Sequence, residues 1–565
     1  MKKNIYFLIS FVLLSMATAN AQTQANIYAS GLKAEKIDNT NYAFTYTLNA
    51  DATSLTINFD GSSSKQISNP DLLTKGTHTT TLNLSDLVKG EYKWSITAAA
   101  AANETLGKIS NDDSRFKFYF PMGLAVDNSF ESPYFGRIYV SEAAGSRDVE
   151  ATPETYFGDG RITDSGIYIF DALLDAVNDN AYTGNIPWVT TGTTGVSAGG
   201  GSPWRLAIDA AGKVYIADNS IANSGIYIMD PADPEADFSP VFNDASRDET
   251  GIVANVHGRV SGIYIEGSGE NTVLYTVDRN YLPTGYDART YLPSGMVFKY
   301  NIGNLAAPYS QEPTIIYDNT GSRLANEHLG IVSDKRGGFW ICQNRSADAA
   351  GIPSIMHIPN GSDTYDYVSA NQSLFSGVSN NATSRGSIAI NKEGSLLAIG
   401  SDRKVKLFSI AYDSETNIPS LTLITETSVL GTNIDGMAID VADNVYALSA
   451  STERFYQFAT PKEDNSFTTP APAAQKIVIG QSGIIPVENL DNKVILVQEK
   501  GVIHLQANGL IISNYTIYNV TGIVVKSGTV GKSSIDISTS GLTTSVYMIQ
   551  LKTDKGSIVK RFINK

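Results

Sequence analysis

Between about residue 114 and residue 460 one pattern recurs six times: a short apolar strand that ends on an acidic or amide residue. The copies are Gly123-Leu124-Ala125-Val126-Asp127, Arg205-Leu206-Ala207-Ile208-Asp209, Gly262-Ile263-Tyr264-Ile265-Glu266, Gly330-Ile331-Val332-Ser333-Asp334, Ser387-Ile388-Ala389-Ile390-Asn391 and Gly436-Met437-Ala438-Ile439-Asp440. A Gly- or Asn-bearing turn and a second apolar strand follow each copy, as in RIYVSE from Arg137 and KVYIAD from Lys213. A third strand comes next, as in GIYIFD from Gly166 and GIYIMD from Gly225. An internal repeat of this size decides the fold, because one small sheet cannot cover both of its faces alone.

Arranged radially, each sheet packs against two neighbours, so the repeat predicts an all-β chain built on a six-bladed β-propeller over residues 110–460. The strand-end residues are spaced by 82, 57, 68, 57 and 49 residues, so the excess over the usual ~40–50 belongs to loops. Fourth strands are clearest at Thr314–Asp318 and Leu421–Thr427. Arg115–Phe120 precedes the first repeat with nothing local to pair with, and is expected to supply the outer strand of the last blade. The GxAxD, turn, VYxAD, GIYxxD succession resembles the propellers of the NHL-repeat and sugar-lactonase type. That resemblance implies architecture and no particular chemistry.

Before the repeats, Tyr42–Leu48 and Ser54–Phe59 alternate apolar and polar residues as half-buried strands do. With Lys75-Gly76-Thr77-His78 and Lys89-Gly90-Glu91-Tyr92, they make residues 22–105 resemble the Ig-like β-sandwiches of bacterial extracellular proteins. After the repeats, residues 461–475 (PKEDNSFTTPAPAAQ) are rich in Pro, Thr and Ala and read as an extended linker. Residues 476–565 alternate again and predict a C-terminal β-sandwich. Ile517 to Val525, Ile535 to Ser538, Leu542 to Tyr547 and Lys560 to Lys565 resemble the type A C-terminal sorting domain of the Bacteroidetes type IX secretion system. Ser545 stands where that family usually has Gly. The resemblance implies that the secretion machinery is a partner.

Export is also written at the other end. Lys2 and Lys3, an apolar run from Ile5 to Met16 and Ala19-Asn20-Ala21 make residues 1–21 a secretory signal peptide, with cleavage expected between Ala21 and Gln22. The run is too short for a membrane anchor, and no later stretch reaches 18 uninterrupted apolar residues, so no transmembrane segment is expected in the mature chain. Cys342 is the single cysteine, which excludes an intramolecular disulfide and a lipid-modified N-terminal cysteine. Within Phe339-Trp340-Ile341-Cys342 it reads as a buried strand residue. The formal net charge of −15 makes nucleic acid and anionic membrane poor partners.

Functional side chains of a propeller collect where chain enters the innermost strands and leaves the second ones. The entering residues are Met122, Trp204, Arg259 with Ser261, His328, Arg385 and Asp435. The leaving residues are Glu142, Asp218 with Asn219, Asp278 with Arg279, Asn344 with Arg345, Asp402 with Arg403, and Ser449. Together they predict a polar rim with one indole and several cations, a surface suited to a glycan or to an acidic group. The same polar pairs also close tight turns through side-chain to backbone bonds, and Trp204 also serves as a channel plug. Glu142, Asn219, Asn344, Asp278 and Asp435 are oxygen donors of the kind calcium takes, but no spacing singles out a set. No cofactor is expected beyond that. The chain carries no HExxH and no P-loop, and the Gly-rich stretch Gly195–Gly201 (GVSAGGG) has no helix pattern after it and reads as a loop. The leading reading is a secreted or surface-attached, non-catalytic binding protein for a carbohydrate or a surface protein. A metal-assisted lactonase or lyase and a purely structural or adhesive protein are the alternatives.

Overall fold

In each repeat the apolar residues alternate on strands too short to shield themselves, and the chain folds them into antiparallel sheets. The computed structural model describes residues 23–60, 63–144, 162–188, 202–220, 222–243, 253, 256–279, 296–317, 329–343, 354–368, 387–479, 493–499 and 501–564. The expected signal peptide and its Ala21–Gln22 junction lie outside these residues. Two compact units divide the chain, residues 1–479 and 480–565.

In the first unit the repeats form successive sheets whose strands pair in chain order. Their first strands are Pro121–Val126, Arg205–Ile208, Arg259–Glu266, Leu329–Ser333, Ile388–Ile390 and Gly436–Ile439. Six apolar clusters link them, each shared by two consecutive sheets, and the last returns from the final sheet to the first. In that last cluster Tyr446, Leu448 and Phe455 pack with Leu124, Val140 and Phe170, with Phe116 and Phe118 between them. This is the arrangement of a propeller. Cys342 is fully buried between the fourth and fifth sheets with Trp340 and Phe408.

In five of the six sheets the acidic or amide residue that closes the first strand accepts N–H groups of the turn after it, while Glu266 accepts the Tyr275 hydroxyl (3.2 Å). Asp209 Oδ1 accepts the Ala211 and Lys213 N–H groups (both 2.9 Å), and Asp334 Oδ1 accepts those of Arg336 and Gly338 (2.7 and 2.8 Å). Asn391 and Asp440 do the same in their sheets. The recurring residue thus fixes the turn that aims the second strand back along the first.

Closure at the ends differs from expectation in one detail. Gly107–Lys108, rather than Arg115–Phe120, is the outer strand of the last sheet, paired with Phe458–Ala459. Ser114–Phe116 is a 3₁₀ turn, and Lys117 forms an isolated bridge to Arg454. Phe116 and Phe118 are more useful as core, because the cleft between the last and first sheets needs aromatic volume.

The N-terminal strands Ala29–Lys36, Asn41–Leu48 and Gly76–Asn83 form one sheet, and Ser466–Pro470, Trp94–Ala99, Ser54–Phe59 and Ser63–Ile67 form another. They share a core around Phe44, Ile57 and Trp94. Ser466–Pro470 falls within the stretch expected to be a linker, yet it pairs along Trp94–Ala99, with Thr468 and Thr97 hydroxyls 2.8 Å apart. Ile477–Ile479 pairs with Gly90–Tyr92. A polar edge strand has no apolar alternation to betray it, and an edge tolerates Pro470, which lacks an N–H.

The segment Gln24–Tyr28 is held between these sheets and the propeller by amides. Asn26, fully buried, donates its N–H to Asn444 Oδ1 (2.7 Å) and its side-chain amide to Thr460 Oγ1 (2.9 Å). Its side-chain oxygen accepts from Asn103 Nδ2 (2.8 Å), and its carbonyl accepts from Asn49 and Asn444 Nδ2 (2.9 and 2.8 Å). Asn444 in turn donates to Asp440 Oδ2 (2.8 Å), which also accepts the Tyr446 hydroxyl (2.9 Å). Burial pushes the Asp440 carboxyl up to about 6 against the pull of these donors.

The second unit holds two antiparallel sheets over a shared core of Ile503, Leu505, Ile517, Ile549 and Phe562. One sheet holds Val494–Glu499, Val502–Ala507 and Ser534–Ser538, and the other Val524–Lys532, Ile512–Tyr518, Ser545–Thr553 and Gly556–Asn564.

Asn26→Ala is expected to remove the buried side-chain bonds to the Thr460 hydroxyl and the Asn103 amide and to lower the unfolding free energy of the first unit by about 2–4 kcal/mol. Denaturant unfolding of the mature chain measures it. A change within ~0.5 kcal/mol refutes the role given to this network.

Candidate functional site

The six first strands surround an axial cavity of about 240 Å³, lined by Leu124, Leu206, Ile263, Ile331, Ile388 and Met437 among others. Aliphatic side chains of the first strands line it together with Asn128, Arg205, Ser333 and Ser387. At the end where the strands begin, Arg205 reaches across it. Arg205 Nη1 donates to the carbonyls of Met122 (2.7 Å) and Asp435 (3.0 Å), tying together the first, second and last sheets. The guanidinium also lies 5.1 Å from the Trp204 ring. Sequence reasoning passed over Arg205 because it read the residue as part of the repeated strand.

Trp204 is fully buried with Met122 and Ala143 rather than presented at the surface. The backbones crowd here: a Cβ on Gly123 would lie 2.9 Å from the Trp204 carbonyl, and one on Gly436 2.7 Å from the Met122 carbonyl. Only glycine permits that approach.

The rim acids are turned inward as well. Glu142, fully buried, accepts the N–H groups of Tyr119 (2.9 Å) and Phe120. Asp218 Oδ1 accepts the Ser220 N–H (2.7 Å), Asp278 Oδ2 the Gly258 N–H (2.8 Å) and Asp435 Oδ2 the Ala450 N–H (2.7 Å). All three acids are at most 1% exposed. Asn219 is equally buried, and its carbonyl takes two donations from Arg259, Nε at 3.0 Å and Nη2 at 2.7 Å. His257 is buried against the Phe242 ring, with Nδ1 donating to the Gly258 carbonyl (2.6 Å). Glu142 and Asp278 thus tie down the chain entering the first strands of their sheets, the Asn219 carbonyl holds Arg259 at the start of the next, and Asp435 holds the chain leaving the last second strand.

Asp402 and Arg403, at φ of 53° and 66°, form the two-residue turn between Leu396–Ser401 and Lys404–Tyr412. Asp402 pairs with Lys406 and Arg403 is exposed. Two successive left-handed residues are what a tight hairpin demands. His328, Arg385 and Asn344 lie outside the described residues, and Arg279 ends the strand Val273–Arg279 with nothing described of its side chain. Among the described residues no three His, Cys, Asp or Glu side chains gather as a metal cage does.

Residues 498–565 match the family of secretion system C-terminal sorting domains. The protein is secreted or carried to the cell surface. The C-terminal unit is therefore the part that meets the secretion machinery, and no described helix is long and apolar enough to cross a membrane. Among curated proteins none matches the chain. Three solved structures share a distant likeness. PorZ, a surface component of the type IX secretion system of Porphyromonas gingivalis, is 11% identical with a TM-score of 0.30, over 93% of this chain and 74% of its own. A calcium-binding regucalcin from Agrobacterium tumefaciens is 12% identical at 0.34, over 64% and 96%. A carbohydrate-active enzyme of Trichoderma reesei is 14% identical at 0.36, over 64% and 97%. Likeness at this level assigns no chemistry to the chain.

Burial pushes the Asp278 carboxyl up to about 6, against the pull of the Gly258 N–H and the Thr276 hydroxyl. The folded form then holds this proton more tightly than the unfolded form. Its contribution to stability is present at pH below about 4 and is lost as pH rises through 6. Asp278→Asn is expected to gain up to roughly 3 kcal/mol relative to the parent between pH 4 and pH 7. Urea unfolding at the two pH values checks it, and a parent-minus-variant difference that stays flat with pH refutes it.

Proposed function

We propose that the chain is a secreted or surface-attached, non-catalytic binding protein whose working part is a six-bladed propeller of NHL-type repeats. An Ig-like sandwich precedes the propeller, a signal peptide ending at Ala21 starts the route outward, and the C-terminal sandwich completes it by the type IX pathway. The observation that carries this reading is how the rim acids are used. Glu142, Asp278 and Asp435 each accept a backbone N–H of the chain beside them in their sheet, and Asp218 that of Ser220 in its own turn. Oxygens committed in this way are poorly placed to converge on an axial cation or to move a substrate proton.

The ligand is a protein or carbohydrate taken by the outer loops of the rim. Exposed Arg403 is one contact, and Arg279, Arg385, His328 and Asn344 are proposed beside it. Trp204 drops out as a sugar platform because stacking needs a free ring face, and its indole is fully buried. A structural or adhesive role is the second reading. It is favoured by the same burial of Trp204 and Met122 at one end of the cavity.

Calcium at millimolar concentration, followed by EDTA, is expected to leave the melting temperature of the mature chain unchanged to within about 1 °C, since only a ligand that prefers the folded form raises it. A calcium-dependent rise of several degrees would displace the binding reading in favour of a metal-assisted enzyme. On a glycan array, loss of about tenfold in binding on Arg385→Glu with Arg403→Glu supports a sugar ligand at the rim.

A further inference from the structure

The second unit exposes more apolar surface than its size calls for. Of its four-stranded sheet, Tyr547, Ile549, Leu551, Ile558 and Phe562 face the core. The alternate residues face out, and Val524 is 52% exposed, Met548 40%, Val559 52% and Ile563 49%. Register makes them neighbours. Tyr518 stands opposite both Val524 and Met548, Met548 opposite Arg561, Gln550 opposite Val559, and Val546 opposite Ile563. The Tyr518 hydroxyl donates to Gln550 Oε1 (3.0 Å), which fixes the ring across the middle of this face. Exposed Arg561 and Lys552 supply its charge, and no outward residue of these strands is acidic.

The sign of that charge runs against the rest of the chain. Residues 480–565 carry nine Lys and Arg against five Asp and Glu, whereas the whole chain stands at −15. The whole sheet also lies inside the stretch that matches the sorting-domain family, while exposed Ile495 and Val497 of the opposite sheet lie just outside it. Exposed apolar side chains interleaved with Arg561 and Gln550 on one open face have the mixed character of a protein-binding surface.

We propose that the outward face of this sheet is the surface by which the secretion machinery holds the domain. The occupant is a protein groove with an apolar floor for Val524, Met548, Val559 and Ile563 and an acidic border for Arg561 and Lys552. The proposal rests on the sorting reading of the C-terminal unit and adds which face is read and by what chemistry.

The test expresses the full chain in a bacterium that has this secretion system and measures the share reaching the surface or medium against the share left in the periplasm. Met548→Ser with Val559→Ser, and separately Arg561→Glu, are expected to cut export about tenfold with the melting temperature unchanged. Ile495→Ser with Val497→Ser is expected to export like the parent. Export of the two face variants at the parent level overturns the proposal, as does equal loss in the opposite-sheet variant. A parent chain that stays in the periplasm overturns the sorting reading beneath it. The purified chain is also mixed with phosphatidylglycerol vesicles, and no binding is expected. Vesicle binding that the face variants abolish overturns the protein partner in favour of a membrane.

Discussion

Each small sheet of the repeat region has two apolar faces and can hide neither alone. Everything else in the first unit follows from meeting that demand radially. The six clusters between consecutive sheets hide both faces only because the last sheet packs back on the first, and Phe116 and Phe118 fill the seam where that happens. Removing water from these faces is the largest favourable contribution to the fold. The polar residues inside it are spent on holding the strands in the right order.

That spending explains the site. Asp, Asn and Glu are kept where turns need acceptors, either after the first strand, as at Asp334, or after the second, as at Asp278. A buried carboxylate is costly unless it is bonded, so these groups are drawn onto backbone N–H groups close by. The axial cavity is lined by aliphatic side chains with Asn128, Ser333, Ser387 and Arg205 among them, and the donors of Arg205 hold carbonyls of the adjoining sheets.

Much of this was legible in the residues, and the failures have causes. Alternation of period two and the recurring strand-end acid located the strands, because both are local consequences of pleat and turn geometry. The strand Ser466–Pro470 was not legible, since a polar edge held by main-chain bonds and a Thr97–Thr468 contact carries no apolar signal. The outer strand Gly107–Lys108 was missed for the same reason, while the aromatic Arg115–Phe120 attracted the assignment because aromatics suit strands and core alike. Trp204 and Arg259 were placed at the rim by position, and position along a strand does not say whether a side chain turns outward or under the neighbouring sheet.

The sequence by itself determined that this chain is all-β, repeats one strand unit, and carries an export address at its C-terminal end. Those properties are written in local pattern, composition and motif, and need no knowledge of distant contacts. Only the tertiary structure decided that Asn26 pins chain more than 400 residues away, that the rim acids face inward and that Met548 and Val559 share one open face. Contacts of that kind depend on register and on which sheet lies beside which. Both are fixed by packing the whole ring and the whole C-terminal unit at once.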